Sequence, residues 1–251
     1  MNNRISEVSY NNFGSEMIVV GYRGAKDIDV SFPEYDCIVE HTQYSNFKRG
    51  LVKCPYERRV FGVGYLGEGK YKAKVNGEKT KAYIAWSSML DRCYNSKYHE
   101  THPTYIDCTV CPEWHNFQVF AEWFEQNYYE VEDEHMNLDK DILVKGNKVY
   151  SPDTCTFVPQ SINKIFIKSE ASRGSLPIGV SYNKQNRKYS ARCNCYGRLR
   201  FLGYYSNPQE AFLRYKSYKE SYIQQVADEF LYIIPENLYE AMINYEVEEN
   251  D

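Results

Sequence analysis

No stretch of this chain stays apolar for the roughly 20 residues that a membrane-crossing helix needs. Its opening residues, Met-Asn-Asn-Arg-Ile-Ser, lack the pattern of a secretory signal. A cytoplasmic protein with no membrane partner is expected. No second Cys-x-x-Cys pair accompanies Cys108-Thr-Val-Cys111, although the chain has 8 cysteines. Structural zinc usually takes two such pairs, so Zn²⁺ here would need Cys93 and Cys155, with His115 as a substitute, to join Cys108 and Cys111. Buried reduced thiols are the simpler expectation. No Lys-Ser/Thr follows the glycines at 62, 64, 67 and 69, and no strand-to-helix pattern surrounds them. A flexible turn region joining the small β domain to the next one is therefore a better reading than a phosphate loop or dinucleotide fingerprint.

The 251 residues suffice for one large domain or two to three small ones. Aromatics make up 16% of the chain, with 25 tyrosines, so large rings must build much of the cores. The net charge of −4 argues against a nucleic-acid partner only until its distribution is considered. Residues 160–220 carry 12 Lys and Arg against 3 acids. Residues 112–141 carry 9 acids and one Lys, and residues 221–251 carry 8 acids and no base. A basic block between acidic ones is the electrostatic footprint of a nucleic-acid module.

Three segments separate by texture, giving an α+β protein with boundaries at 1–82, 83–170 and 171–251. The first is a small β-rich domain whose Ile28, Val30 and Phe32 alternate with polar residues, as a half-buried strand does. The second turns helical. Trp86, Met89, Leu90 and Cys93 share one helix face, and Trp114, Phe117, Phe120 and Phe124 form a stripe after Pro112. A hairpin over 138–159 and a short helix follow, making a ββα unit. The third segment predicts three strands and a helix. Tyr189, Ala191 and Cys193 point to a core, while Ser190, Arg192 and Asn194 point out, and Arg198 and Arg200 repeat the outward pattern. Asn207 caps the helix, Pro208 starts it, and the acidic tail is expected to fray.

The motifs "IGVSY", "KYSARC" and "RFLGYYSNPQEAFLRY" in the third segment resemble the APETALA or ethylene-response-factor type of DNA-binding domain. The resemblance implies a three-stranded sheet lying in the major groove of double-stranded DNA. The implied contact residues are Lys184, Arg187, Lys188, Arg192, Asn194, Arg198 and Arg200. Arginine suits such a strand because its planar guanidinium bonds two acceptors on guanine, whereas lysine mainly neutralises phosphate.

The middle segment, through "WSSMLDRCYN", "VCPEWHNFQVFAEW" and "LDKDI…YSPDTCTFVP", resembles the HNH homing-endonuclease-like proteins of bacteriophages. Such a site uses a strand histidine as base and a neighbouring acid and helix residue to hold Mg²⁺ or Mn²⁺ at the phosphate. No histidine lies within 138–159. Mapped on the motif, Asp139 keeps the ligand position, Lys140 stands at the base position, Asn163 at the helix position, and a shifted alignment adds Asp141 as a second carboxylate. Thr154 or Cys155 stands at the middle position, and His135 lies three residues before the strand. Residues 17–69 resemble a segment that recurs before the HNH-like unit in phage open reading frames. A phage-encoded DNA-binding protein with a degenerate nuclease centre is therefore expected, in the host cytoplasm. An active metal-dependent nicking enzyme and a non-catalytic structural or protein-interaction component are the alternatives. The acidic tail offers a surface for a basic protein partner.

Overall fold

In the computed structural model, residues 4–167 and 176–251 are described. The chain divides into two compact units, residues 1–126 and 127–251. The boundary expected at 170/171 lies outside the described residues. Among the described residues no helix is long and apolar enough to cross a membrane.

The first unit opens on an antiparallel four-stranded sheet of β1 (Val8–Tyr10), β2 (Glu16–Gly24), β3 (Asp27–Phe32) and β4 (Cys37–Thr42), paired in chain order. Ile28, Val30 and Phe32 are buried as their alternation predicts, and they meet Met17, Val19, Phe47 and Val52 in one core. Phe47 comes from a short helix, α1 (Tyr44–Lys48). A small hairpin, β5 (Lys74–Val75) and β6 (Glu78–Lys79), leads into α2 (Lys81–Tyr94), capped by Thr80, whose Oγ1 accepts from the Tyr83 amide. Its Trp86, Met89, Leu90 and Cys93 are buried on the expected face. After α3 (Ser96–Thr101) and β7 (Thr109–Val110), Pro112–His115 forms a separate 3-10 turn before α4 (Phe117–Asn127). The break at Asn116 interrupts the expected stripe, yet Trp114, Phe117 and Phe120 are all buried, and Phe124 is half-buried. Trp86 Nε1 donates to the Trp114 carbonyl at 2.7 Å, tying the two aromatic segments together.

The glycine-rich stretch differs from the flexible connection expected of it. Gln118 Nε2 donates to the carbonyls of Leu66 and Tyr71 at 3.2 and 3.0 Å, and its Oε1 accepts from the Tyr71 amide. The Gly67 amide bonds to Pro55. One side chain from α4 thus satisfies backbone groups that turn residues would otherwise leave to water.

The second unit begins with β8 (Met136–Asp139), passes β9 (Val149–Tyr150), and returns through β10 (Thr156–Pro159), which pairs antiparallel with β8. The turn between the paired strands is therefore long, spanning 140–155. A single helical turn, α5 (Gln160–Asn163), follows. Next come β11 (Val180–Asn183), β12 (Lys188–Cys195) and β13 (Arg198–Tyr205), an antiparallel sheet in that order. Helix α6 (Pro208–Glu229) starts on Pro208 with Asn207 Oδ1 accepting from the Glu210 amide at 2.8 Å. Its Ala211, Phe212, Tyr215 and Ile223 cover Val180, Ala191 and Cys193. Ile142, Val158 and Ile162 belong to the same core, so the hairpin and the sheet bury one apolar mass.

The acidic tail does not fray. Helix α7 (Glu236–Ile243) buries Leu238 and Met242 in that core, and Val247 follows them in. Lys145 Nζ donates to the Glu246 carbonyl and to Asp251 Oδ2 at 2.9 and 2.8 Å, and Lys216 Nζ donates to the Val247 carbonyl. Charge-assisted bonds and an apolar anchor hold a segment whose composition alone reads as solvated.

Candidate functional site

The sheet of the second unit has one face covered by α6, and the register determines what the other presents. Residues directly opposite in an antiparallel pair project to the same face. In the β12–β13 pairing, Ala191 faces Gly203 but Arg192 faces Phe201, so Leu202 is an extra residue on β13. This β-bulge inverts the expected alternation of β13. Arg200 and Arg198 lie opposite Cys193 and Cys195, which are buried toward the helix. Leu199 and Phe201 lie opposite Asn194 and Arg192 and share the uncovered face with them. The outward reading holds for Arg192 and Asn194. It fails for Arg198 and Arg200, which remain exposed on the edge strand but on the helix side of the sheet. Ser190 shares the outward face, opposite Tyr204, but is buried there, with its Oγ 2.9 Å from Ser181 Oγ and donating to the Ser181 carbonyl.

Lys184, Arg187 and Lys188 are exposed at the turn joining β11 to β12. Among the described residues, the side chains of Lys184, Arg187, Lys188, Arg192, Arg198 and Arg200 make no ion pair or hydrogen bond. Three other cations of this unit are engaged: Lys145 with Asp251, Lys216 with Glu220 at 2.7 Å, and Lys219 with the Ile165 carbonyl at 2.7 Å. Between residues 176 and 205 the sequence has no acid at all.

The hairpin residues serve local structure. Asp139 Oδ1 accepts from the amides of Asp141 and Ile142 at 2.9 and 2.8 Å, closing the chain's exit from β8 as an Asx turn. Burial holds the Asp139 carboxyl above the usual carboxylate range, and the Asp141 carboxylate adds to this. Lys140 is buried, with Nζ 3.5 Å from Asp141 Oδ1 and over the Tyr150 ring. Asn163 is half-buried at the end of α5, and His135 is exposed. Among the described residues, neither Asp139 nor Asp141 belongs to a group of three or more His, Cys, Asp or Glu donors within 4.8 Å of one another.

One such group exists among the described residues, and it lies in the first unit: Asp27 and Asp29 on β3 and His41 on β4. Two carboxylates and an imidazole are a suitable donor set for a divalent ion and could hold one. The sequence reading did not single it out. Asp27 and Asp29 share a strand face by their spacing, but His41 joins them only through the β3–β4 pairing. The set already holds a cation. Arg23 donates through Nε and Nη2 to Asp27 at 2.8 Å each, and through Nη1 and Nη2 to Asp29 at 2.7 and 2.5 Å. All four carboxylate oxygens are thereby engaged, and His41 Nδ1 sits 3.0 Å from Asp27 Oδ1. The Arg23 guanidinium holds both carboxyls below their usual range, Asp27 more strongly than Asp29. A divalent ion would have to displace it. Arg23→Gln should therefore raise Mn²⁺ affinity at this cluster by about tenfold or more, read by calorimetry, and Asp29→Asn should remove the gain. Mn²⁺ binding equally tight with and without Arg23 would show that the guanidinium is no competitor.

Among the described residues of the first unit, Cys93, Cys108 and Cys111 belong to no donor group of this kind. Cys93 and Cys108 are buried, and burial pushes the half-buried Cys111 thiol up to about 11. Cys155 is buried in the second unit.

No protein-family model matches this chain, and neither the curated proteins nor the solved structures yield a match.

Proposed function

We propose that this chain is a double-stranded-DNA-binding protein of the phage homing-endonuclease type, which contacts the major groove with the sheet β11–β13 and whose hairpin is a depleted nuclease centre. The observation that carries the reading is the set of six cations on the sheet and its turn, none of which is spent on an internal partner among the described residues. Cations kept out of ion pairs are available to replace the counterions of phosphate. On this reading Arg192 and Asn194, in the uncovered face, would meet base edges, whereas Arg198 and Arg200, on the helix side of the edge strand, would reach phosphates at most.

Metal-dependent nicking is the second reading, and the donor set of Asp27, Asp29 and His41 is what favours it. Asp139 gives weaker support, since one of its oxygens is committed to two amides. Mg²⁺ or Mn²⁺ would supply a Lewis acid at phosphate.

Supercoiled plasmid with Mg²⁺ or Mn²⁺, scored for retardation and nicking in the same samples, tests both readings. Retardation without nicking is the expected result. Arg192→Ala should weaken binding at a preferred site by about 1–3 kcal/mol, leaving other sequences less affected. Metal-dependent nicking lost in Asp139→Ala would restore the hairpin as a working centre, and loss in Asp29→Asn alone would place the chemistry in the first unit. A protein that retards no duplex at low salt ends the DNA reading.

A further inference from the structure

The bulge in β13 leaves an unusual pair of neighbours on the uncovered face. Phe201, 54% exposed, stands opposite Arg192, and Leu199, 65% exposed, stands opposite Asn194. Tyr204 packs edge-on against Phe201 with ring centroids 4.9 Å apart, and its hydroxyl accepts from Asn183 Nδ2 at 3.3 Å. The Phe201 ring is thus supported from the side while its outer surface stays open.

Two large exposed apolar side chains beside two polar readers would be well covered by an apolar partner, and the surrounding charge limits what that partner can be. The stretch from 176 to 205 carries six cations and no acid, which favours a polyanion. Duplex DNA displays one apolar group in its major groove, the C5-methyl of thymine, beside the acceptors of guanine and adenine that Arg and Asn bond. Directly opposed side chains in an antiparallel pair are about 5 Å apart, close to one or two base steps. Resting on the DNA-binding reading above, we propose that Phe201 and Leu199 read thymine methyl groups, so that preferred sites place a thymine within one or two steps of the base bonded by Arg192 and another beside that of Asn194. Specificity in this face is then half apolar, and thymine is preferred at those positions by about one methyl group's worth.

The test replaces thymine by deoxyuridine, which removes the methyl and leaves base pairing intact. A preferred duplex is first selected by the full-length protein from a random pool, and each thymine is then replaced in turn. Wild type is expected to lose about three- to fivefold in affinity at one or two positions, the worth of one buried methyl group. Phe201→Ala should bind the thymine duplex less tightly and no longer distinguish it from the uracil duplex, while Phe201→Leu should keep the discrimination. Phe201 is half exposed, so circular dichroism should show both variants folded. Equal wild-type affinity for thymine and uracil duplexes overturns methyl reading and leaves DNA binding standing. Tighter binding of the single strand, lost in Phe201→Ala, also overturns it in favour of stacking on unpaired bases. Failure to select any duplex, with Phe201→Ala disrupting association with a protein instead, overturns both readings.

Discussion

Gly179→Ala should destabilise the second unit by about 3 kcal/mol or more and, on the proposed DNA-binding reading, remove DNA retention with it. Gly179 stands immediately before β11 with φ +74°, in the left-handed region. A Cβ there would fall 2.1 Å from Tyr215 Cδ2 and 2.4 Å from Cγ. Tyr215 is 6% exposed in α6 and cannot swing aside, because it is packed in the core shared by the sheet and the helices. The Gly179 carbonyl also accepts from the Arg192 amide at 2.9 Å, so displacing residue 179 disturbs the strand that carries Arg192. Backbone strain contributes about 1–2 kcal/mol and the clash about 1–3 kcal/mol. Gly197 separates the two contributions. It has φ +72° in the β12–β13 turn but nothing within 4 Å of a Cβ, so Gly197→Ala should cost only the strain. Denaturant unfolding of both variants measures the difference. Equal losses would show that Tyr215 yields and that the helix is not clamped to the sheet at this point.

Which features the sequence revealed follows from how local their causes are. The alternation Ile28-Val30-Phe32, the stripe of α2 and the Asn207-Pro208 helix start depend on residues within a few positions, and all three appear where expected. The face of β13 depends on one extra residue. A strand's period of two turns a single insertion into an inversion of every residue beyond it, so Arg198 and Arg200 changed places with Leu199 and Phe201. The sequence "RFLGYY" held a hint, since a glycine inside a strand pattern often marks a bulge. Asp139 shows a different limit. An acid at a strand end looks alike as a metal ligand and as a turn-closing acceptor, and only the amides of Asp141 and Ile142 distinguish them. The Arg23 cluster needed three strands in register before its members could meet. The tail misled through composition, because Lys145 and Lys216 come from far earlier in the chain to neutralise and anchor it.

If the sheet binds DNA as proposed, the combined substitution of Lys184, Arg187 and Lys188 by alanine should cut affinity for any duplex by about 10²–10³-fold near 0.1 M salt, whatever its sequence. The estimate follows from counterion release. Each phosphate neutralised adds about 0.9 to the steepness of log K against log salt, and near 0.1 M that is close to tenfold in affinity. Three contacts removed should flatten the slope by about 2.7. The fold should not change, because among the described residues these three side chains make no ion pair or hydrogen bond. Lys216→Ala supplies the opposite case. Its ammonium is 2.7 Å from Glu220 and holds the Val247 carbonyl, so its loss should lower stability while leaving the salt slope of the folded protein unchanged. The contrast distinguishes charge that builds the fold from charge the fold leaves unspent. If the triple variant kept the wild-type slope, phosphate would be bound elsewhere and the turn between β11 and β12 would not approach DNA. If it lost the slope but kept the preference for a selected site, phosphate neutralisation would belong to the turn and base reading to the strand face of Arg192, Asn194 and Phe201.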